Sequence, residues 1–588
     1  MEILPNELLI ECFKYFDGLD IFYSFDDLNA RFSMLICSIP LYIDFNSMTT
    51  EYFYRTATKI FSNIKIRKQI HSLKVTNQNP FQRQILESEF STNGFTHLQS
   101  LTLHHIDETI AEKFIKIVSK LPQLCAFHMN KLVDNIDELL FQLPMLQFQR
   151  LTLPGLYSSE DLLNKFSSIE TLKILHCSIP TVHHLFDFTT NLKDLHISYL
   201  QFNQRSYIPN DTQTSSTNLK YLTLENFKHN FADIANILKR TVDLTVLRLI
   251  DYQDENIFDA NQWQRFICTS LTKLKQFHLT CHYPYHVKHL NIRKAYEQLQ
   301  TDFWRKERQW FTECILSKDF STIYTIPYQH NTYTISSQSE TYFNQTIDHR
   351  NIFTNVKHVK LNVDLTKYQY PCYFPYVTSI RLGQCYLNKK YIQLLKSIVN
   401  LTNINQLRLS VSCNIENSSV LLEILNQSTN LSSLQIDAET LLSLLSDDNP
   451  QLCDCLSEKI KKLTLLKTDN SENYLNLFQQ SWGKSNYIDN ALEDFYQMNK
   501  LWQIFENVQQ LECTIEKRHS IQFLLENLPI LTCLNVRSRT LNLHTQVLPF
   551  ANKIAANLGL KLVCEFESLY DDNLSVWIIR ETRSVISR

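Results

Sequence analysis

Glycine is scarce in this chain, six residues among 588. Loops that cradle phosphate need glycine to bring backbone N–H groups close, so G-x-G-x-x-G and Walker-type loops are excluded, as is the G-x-S-x-G elbow of serine hydrolases. No apolar run approaches a bilayer span, and the first residues are acidic and amphipathic where a secretion signal would be basic and then continuously apolar. A surplus of one charge is missing too: 57 Lys and Arg against 60 Asp and Glu leave −3, which makes no global case for nucleic acid or membrane binding. The 15 cysteines lack framework spacing, and an odd number cannot all pair internally, so reduced thiols in the cytosol or nucleus are expected. Triplets such as Asn344-Gln345-Thr346 then carry no weight as glycosylation sites. Cys281-His282 with His286, His183-His184, and Cys453 with Cys455 could ligate metal, but none has a second pair at zinc spacing; no cofactor is expected.

What is abundant is leucine at a fixed spacing. Leu-x-x-Leu-x-Leu and its apolar variants recur sixteen times, from Ile70-x-x-Leu73-x-Val75 to Leu531-x-x-Leu534-x-Val536, and most successive copies are 21 to 30 residues apart. That is the leucine-rich-repeat period. Helical stretches such as Ile110 to Val118 and Tyr391 to Val399 lie between copies. The spacing therefore predicts an α/β fold: a curved leucine-rich-repeat solenoid, parallel strands on the concave side and helices on the convex side. Three residues past the last apolar position stand Cys177, Cys385, Ile106, Phe227 and Tyr252, so the repeats are degenerate.

The opening segment is different. Pro5 suits a first helical turn, and Leu8, Leu9, Cys12, Phe13 and Phe16 then form an apolar stripe. Asp17-Gly18 is expected to end that helix through a left-handed cap, with two more short helices to follow. Leu4, Pro5, Glu7, Leu8, Phe13, Phe16, Leu19, Asp20, Ile21, Arg31, Phe32, Leu35 and Ile36 together resemble the F-box, with Ala30 where that family usually has Cys or Ser and Phe32 where it has Trp. The resemblance covers about forty residues. It implies docking to the adaptor subunit of an SCF-type ligase, and through it to a cullin, by Leu4, Pro5, Leu8, Leu9, Phe13, Phe16, Ile21, Arg31, Phe32 and Leu35. The same helices could instead only cap the first repeat.

The expected organisation is an F-box at 1–45, a linker helix at 46–68, a first repeat arm at 69–282, an insertion at 283–353, a second arm at 354–559 and a cap at 560–588. The insertion reads as a helix and a hairpin around Thr322 to Tyr328, followed by a polar tail from Gln329 to Arg350; Trp304 and Trp310 fit a lid or a core equally well. A second interruption, Asp469 to Met498, reads as a polar loop. Between the last two apolar positions of each copy lies an outward residue, and nine of sixteen are basic: Lys74, His128, Lys173, His196, Arg248, His278, Lys360, Arg381 and Arg408. Such a stripe suits an acidic or phosphorylated protein target, unless basic side chains are merely tolerated on an exposed sheet. With no RING-type Cys/His array, the expectation is a non-catalytic substrate receptor of a ubiquitin ligase; the alternatives are a cytosolic repeat scaffold or sensor, and a hydrolase or inhibitor function in the insertion.

Overall fold

The computed structural model describes residues 4–26, 28–45, 57, 59–76, 94–106, 108–130, 140–156, 160–201, 218–253, 258–284, 286–317, 320–336, 340–342, 351–363, 365, 372–446, 449–466, 507–514, 519–537, 543–567 and 573–580. The expected loop at Asp469 to Met498 and most of the expected linker helix lie outside them. Two compact units divide the chain: Met1–Ile326 with Glu340–Asn344, and Pro327–Ser339 with Gln345–Arg588.

The first unit opens with helices α1 (Asn6–Phe13), α2 (Gly18–Phe25) and α3 (Ala30–Ile36). Its sheet then runs through β1 (Leu41–Asp44), β2 (Ile70–Thr76), β3 (Ser100–His104), β4 (Ala126–Met129), β5 (Arg150–Leu156), β6 (Thr171–Ser178), β7 (Asp194–Gln201), β8 (Tyr221–Phe227), β9 (Val246–Tyr252) and β10 (Gln276–Pro284), in that order. All nine junctions are parallel. Parallel neighbours need long crossovers. Helices such as Glu108–Val118, Ile179–Phe188, Phe231–Lys239 and Ala260–Ser270 supply them.

Register explains why the leucines recur. Leu73, Leu101, Phe127, Leu151, Leu172, Leu195, Leu222, Leu247 and Phe277 are partners across successive strands and form one buried row. Each fully buried side chain of this kind contributes roughly 1.5–3 kcal/mol. The degenerate position three residues past the last apolar one belongs to the same core, since Ile106, Cys177, Phe227 and Tyr252 are all buried. His105, Asn226 and Asp251 immediately precede three of them with φ of 53°, 46° and 56°. A left-handed residue there, of types that tolerate it, re-aims the chain so that the next apolar side chain enters the core.

The sheet ends on reversed strands. β12 (Phe320–Thr325) is antiparallel to β10 and to β11 (Thr312–Leu316), which pairs with β14 (Glu340–Tyr342). Trp304 and Trp310 are core residues: they pack on Phe277 and Phe303, and the Trp310 indole N–H donates to Lys275 O at 3.1 Å. A lid role for these aromatics is thereby excluded.

The second unit carries another sheet, ordered β13 (Thr332–Ser336), β15 (His358–Asn362), β16 (Ser379–Leu382), β18 (Gln406–Leu409), β20 (Ser433–Asp437), β21 (Lys462–Leu466), β22 (Gln510–Thr514), β23 (Cys533–Arg537), β25 (Asn573–Arg580) and β24 (Leu560–Glu567). It is parallel as far as β23 and antiparallel beyond. β17 (Cys385–Leu387) and β19 (Cys413–Ile415) form a small separate pair. Asparagine caps recur in this unit: Asn388, Asn417 and Asn449 accept from the N–H of Tyr391, Val420 and Leu452. Such caps satisfy donors that a helix start leaves open.

Three expectations need correction. The span 1–45 already contains the first strand of the first sheet, because Leu41 and Ile43 pair with Ile70 and Leu73. The polar tail after Gln329 contains β13, the first strand of the second sheet. Gly18 does not cap α1; it begins α2, with Asp17 as the cap accepting from Leu19 N at 2.8 Å. Glycine is needed there for approach, since a Cβ would lie 2.8 Å from Tyr42 O. Gly18→Ala should therefore cost about 1–3 kcal/mol by pushing α2 off β1. Hydrogen exchange should show the loss as faster exchange confined to α2 and β1.

Candidate functional site

Two exposed surfaces matter, one in each unit. On the N-terminal helices, Asn29 caps α3 by accepting from Arg31 N and Phe32 N. The Arg31 side chain donates to Asn6 Oδ1 at 2.8 Å and to Leu4 O, tying the start of α3 to the start of α1. Phe25 packs on Phe13 and Phe32, with ring centroids 5.0 and 5.4 Å away. Of the ten expected docking residues, Leu9, Phe13, Ile21, Phe32 and Leu35 are buried in the unit's own core. Leu4 and Arg31 are half-buried, while Pro5, Leu8 and Phe16 face out.

Motif matching missed Tyr15, Leu28 and Met34, exposed to 87%, 55% and 69%. Met34 was readable, because it falls opposite Phe32, Leu35 and Ile36 on a helical period. Single exposed apolar side chains are ordinary. Five large ones, Leu8, Tyr15, Phe16, Leu28 and Met34, within so short a stretch are less so.

The outward row of the first sheet is in register as its spacing predicts: Lys74, Thr102, His128, Thr152, Lys173, His196, Thr223, Arg248 and His278 are successive partners. Its charge is much smaller than its composition suggests. Burial, aided by Arg150, His104, Lys74 and Lys173, pushes the His128 imidazole down to about 4. Burial and Arg248 do the same to His278. Both are neutral at pH 7, and His128 Nδ1 lies 2.7 Å from Thr152 Oγ1. Lys74 pairs with Asp44 at 2.9 Å, and His196 Nε2 lies 3.2 Å from Glu225. Only Lys173 and Arg248 of the six expected cations keep a charge without an ion pair among the described residues.

In the second sheet Lys360, Arg381 and Arg408 are exposed neighbours in register. Gln435, Thr464, Glu512 and Asn535 continue their row. Glu512 is paired with Arg537 at 2.8 Å.

The residues noted for metal are held by the protein itself. His282 lies 2.5 Å from Asp251 and 2.9 Å from Thr322 Oγ1, Cys281 is buried, and burial takes His183 down to about 4. Cys455 donates to Asn426 Oδ1 at 3.7 Å. Among the described residues no helix is long and apolar enough to cross a membrane.

No family model matches the chain, and no curated protein matches it. Among solved structures, a yeast Rad7 and Elc1 complex aligns over 74% of this chain and 84% of the matched chain, at 12% identity and a TM-score of 0.26. A likeness of that score has no bearing on function.

The neutral histidines make stability depend on pH. Their folded values lie below the usual 6.5, so the unfolded chain takes up protons that the folded chain refuses. Stability should be full above about pH 6.5 and fall as pH drops toward about 4. Urea midpoints measured across that range check this, and His128→Gln with His278→Gln should flatten the fall.

Proposed function

We propose that this chain is the substrate-recognition subunit of an SCF-type cullin ubiquitin ligase. Its N-terminal helices act as the F-box that docks the adaptor, and its sheets form a leucine-rich-repeat solenoid that binds a protein target. The chain does no chemistry itself; it holds the target near a ubiquitin-loaded enzyme, so that transfer is favoured by proximity. What supports the reading is the group of outward apolar side chains, Leu8 and Met34 on α1 and α3 and Tyr15, Phe16 and Leu28 in the turns between the helices, in a segment whose motif residues resemble an F-box.

A second reading has an observation in its favour. The hydrophobic core runs without a break from Leu9 through Leu41 to Leu73, as it would if the helices were only a cap on a repeat scaffold. The two readings part at Leu8 and Phe16. Leu8 faces solvent and Phe16 meets the core only edge-on at the Phe25 ring, so Leu8→Asp with Phe16→Asp should keep the fold at a small cost in stability and weaken adaptor capture at least tenfold, a loss typical of anchor residues, roughly 1.4 kcal/mol or more. Pull-down with purified adaptor, alongside circular dichroism, reads both effects. Equal capture by variant and wild type overturns the receptor reading and leaves the cap.

A further inference from the structure

We infer that the exposed face of β15, β16 and β18 is a binding site for an extended acidic protein segment, with carboxylates at alternate positions meeting Lys360, Arg381 and Arg408. The inference rests on the target-binding role of the repeats and not on adaptor docking.

The three cations occupy one row on adjacent parallel strands, with backbones about 4.8 Å apart. All three are exposed, and none is in an ion pair among the described residues. The neighbouring row, His358, Ser379 and Gln406, is in register with them and contains no carboxylate. On the other side stand Asn362, Gly383 and Ser410, again without an acid. Gly383 N–H donates to Leu361 O at 2.7 Å and Ser410 N–H to Leu382 O at 2.9 Å, so the strands stay together there. A Cβ at 383 would sit 2.2 Å from Asn362 Oδ1, so glycine makes room there for the Asn362 side chain to cover the buried backbone beside the cations.

Positive charges side by side repel each other and stabilise nothing on their own. In the first unit Asp44 pairs with Lys74, and the two cations without an ion pair among the described residues, Lys173 and Arg248, stand three strands apart in the row. In the second unit the three cations stand on adjacent strands, and among the described residues no carboxylate pairs with them. The potential is visible on His358, whose protonation is disfavoured by burial first and then by Arg408 and Lys360.

The spread of the charges selects the partner. Arg408 donates to Gln406 Oε1 at 3.0 Å, and the same oxygen accepts from Ser379 Oγ at 3.1 Å. That contact holds the Arg408 guanidinium on its own strand and works against convergence of the three cations on one point. A single phosphoryl group is too compact to meet a row whose ends are about 10 Å apart. An extended segment crossing the strands carries same-side residues about 6.6 Å apart, so two or three carboxylates cover the row.

Fluorescence anisotropy on the full chain tests this with short labelled peptides: one with Glu at alternate positions, its Gln counterpart, and the Gln peptide bearing one phosphoserine. The Glu peptide should bind at least about tenfold tighter than the Gln peptide, and more weakly as salt rises. Lys360→Gln with Arg381→Gln and Arg408→Gln should abolish the difference while melting close to wild type, since it relieves repulsion and loses only the exposed hydrogen bond from Arg408 to Gln406. Lys74→Gln with Lys173→Gln and Arg248→Gln should keep it. Equal binding of Glu and Gln peptides, tighter binding of the phosphopeptide, or equal loss in both triple variants overturns the proposal. Leu8→Asp with Phe16→Asp should leave peptide binding unchanged, so failure of adaptor docking and failure of this site are read separately.

Discussion

Everything in this protein depends on the register of parallel strands. One-residue slippage would turn each buried row outward, because side chains alternate with a period of two. The rows through Leu195 in the first sheet and Leu407 in the second are therefore the constraint from which the rest follows. They decide which residues are core, where the crossover helices pack, and which side chains meet solvent. Glycine scarcity fits this, since the turns that re-aim the chain use His105, Asn226 and Asp251 where a glycine would loosen the unfolded chain further.

Each sheet has to begin and end, and parallel edges expose unpaired backbone groups. At the leading edge of the first sheet β1 sits under α2, with Gly18 against Tyr42. At the far ends the direction reverses: β12 runs against β10, and β25 runs against β23. Reversed strands do not continue the parallel repeat, and a chain can reverse with a short connection where a further parallel strand would require another crossover.

The repeat was legible because burial on one face forces leucine at the same places in every copy. All sixteen copies read from spacing sit on strands β2 to β10, β15, β16, β18 and β20 to β23. The two parallel strands of the large sheets that spacing missed, β1 and β13, each lead a sheet. Leu41-Tyr42-Ile43 and Tyr333-Thr334-Ile335 alternate correctly, yet neither carries the apolar residue three positions upstream that the pattern requires. The N-terminal motif was legible as residue types and not as surfaces. Phe13 and Phe32 match the motif by building its core, while Tyr15 and Met34 reach solvent without belonging to it. The helical period of α3 sets Met34 apart from the buried face, whereas Tyr15 lies past the end of α1, where no period applies.

Charge on the outward row is where composition misled most, and for a physical reason. A histidine counted as basic is cationic only if water or a carboxylate supports it, and His128 and His278 have too little of either. Nothing in the fold constrains this row, because leucines on the other face set the register whatever stands outward. A row free of folding constraint can lose its repulsion at no structural cost, through one substitution to Asp or Glu on a neighbouring strand. The first sheet carries such a residue at Asp44, beside Lys74, and its unpaired Lys173 and Arg248 are three strands apart. Around the adjacent Lys360, Arg381 and Arg408 of the second sheet no carboxylate pairs with them among the described residues, and a repulsion that the fold neither needs nor relieves is most simply accounted for by a partner that does relieve it.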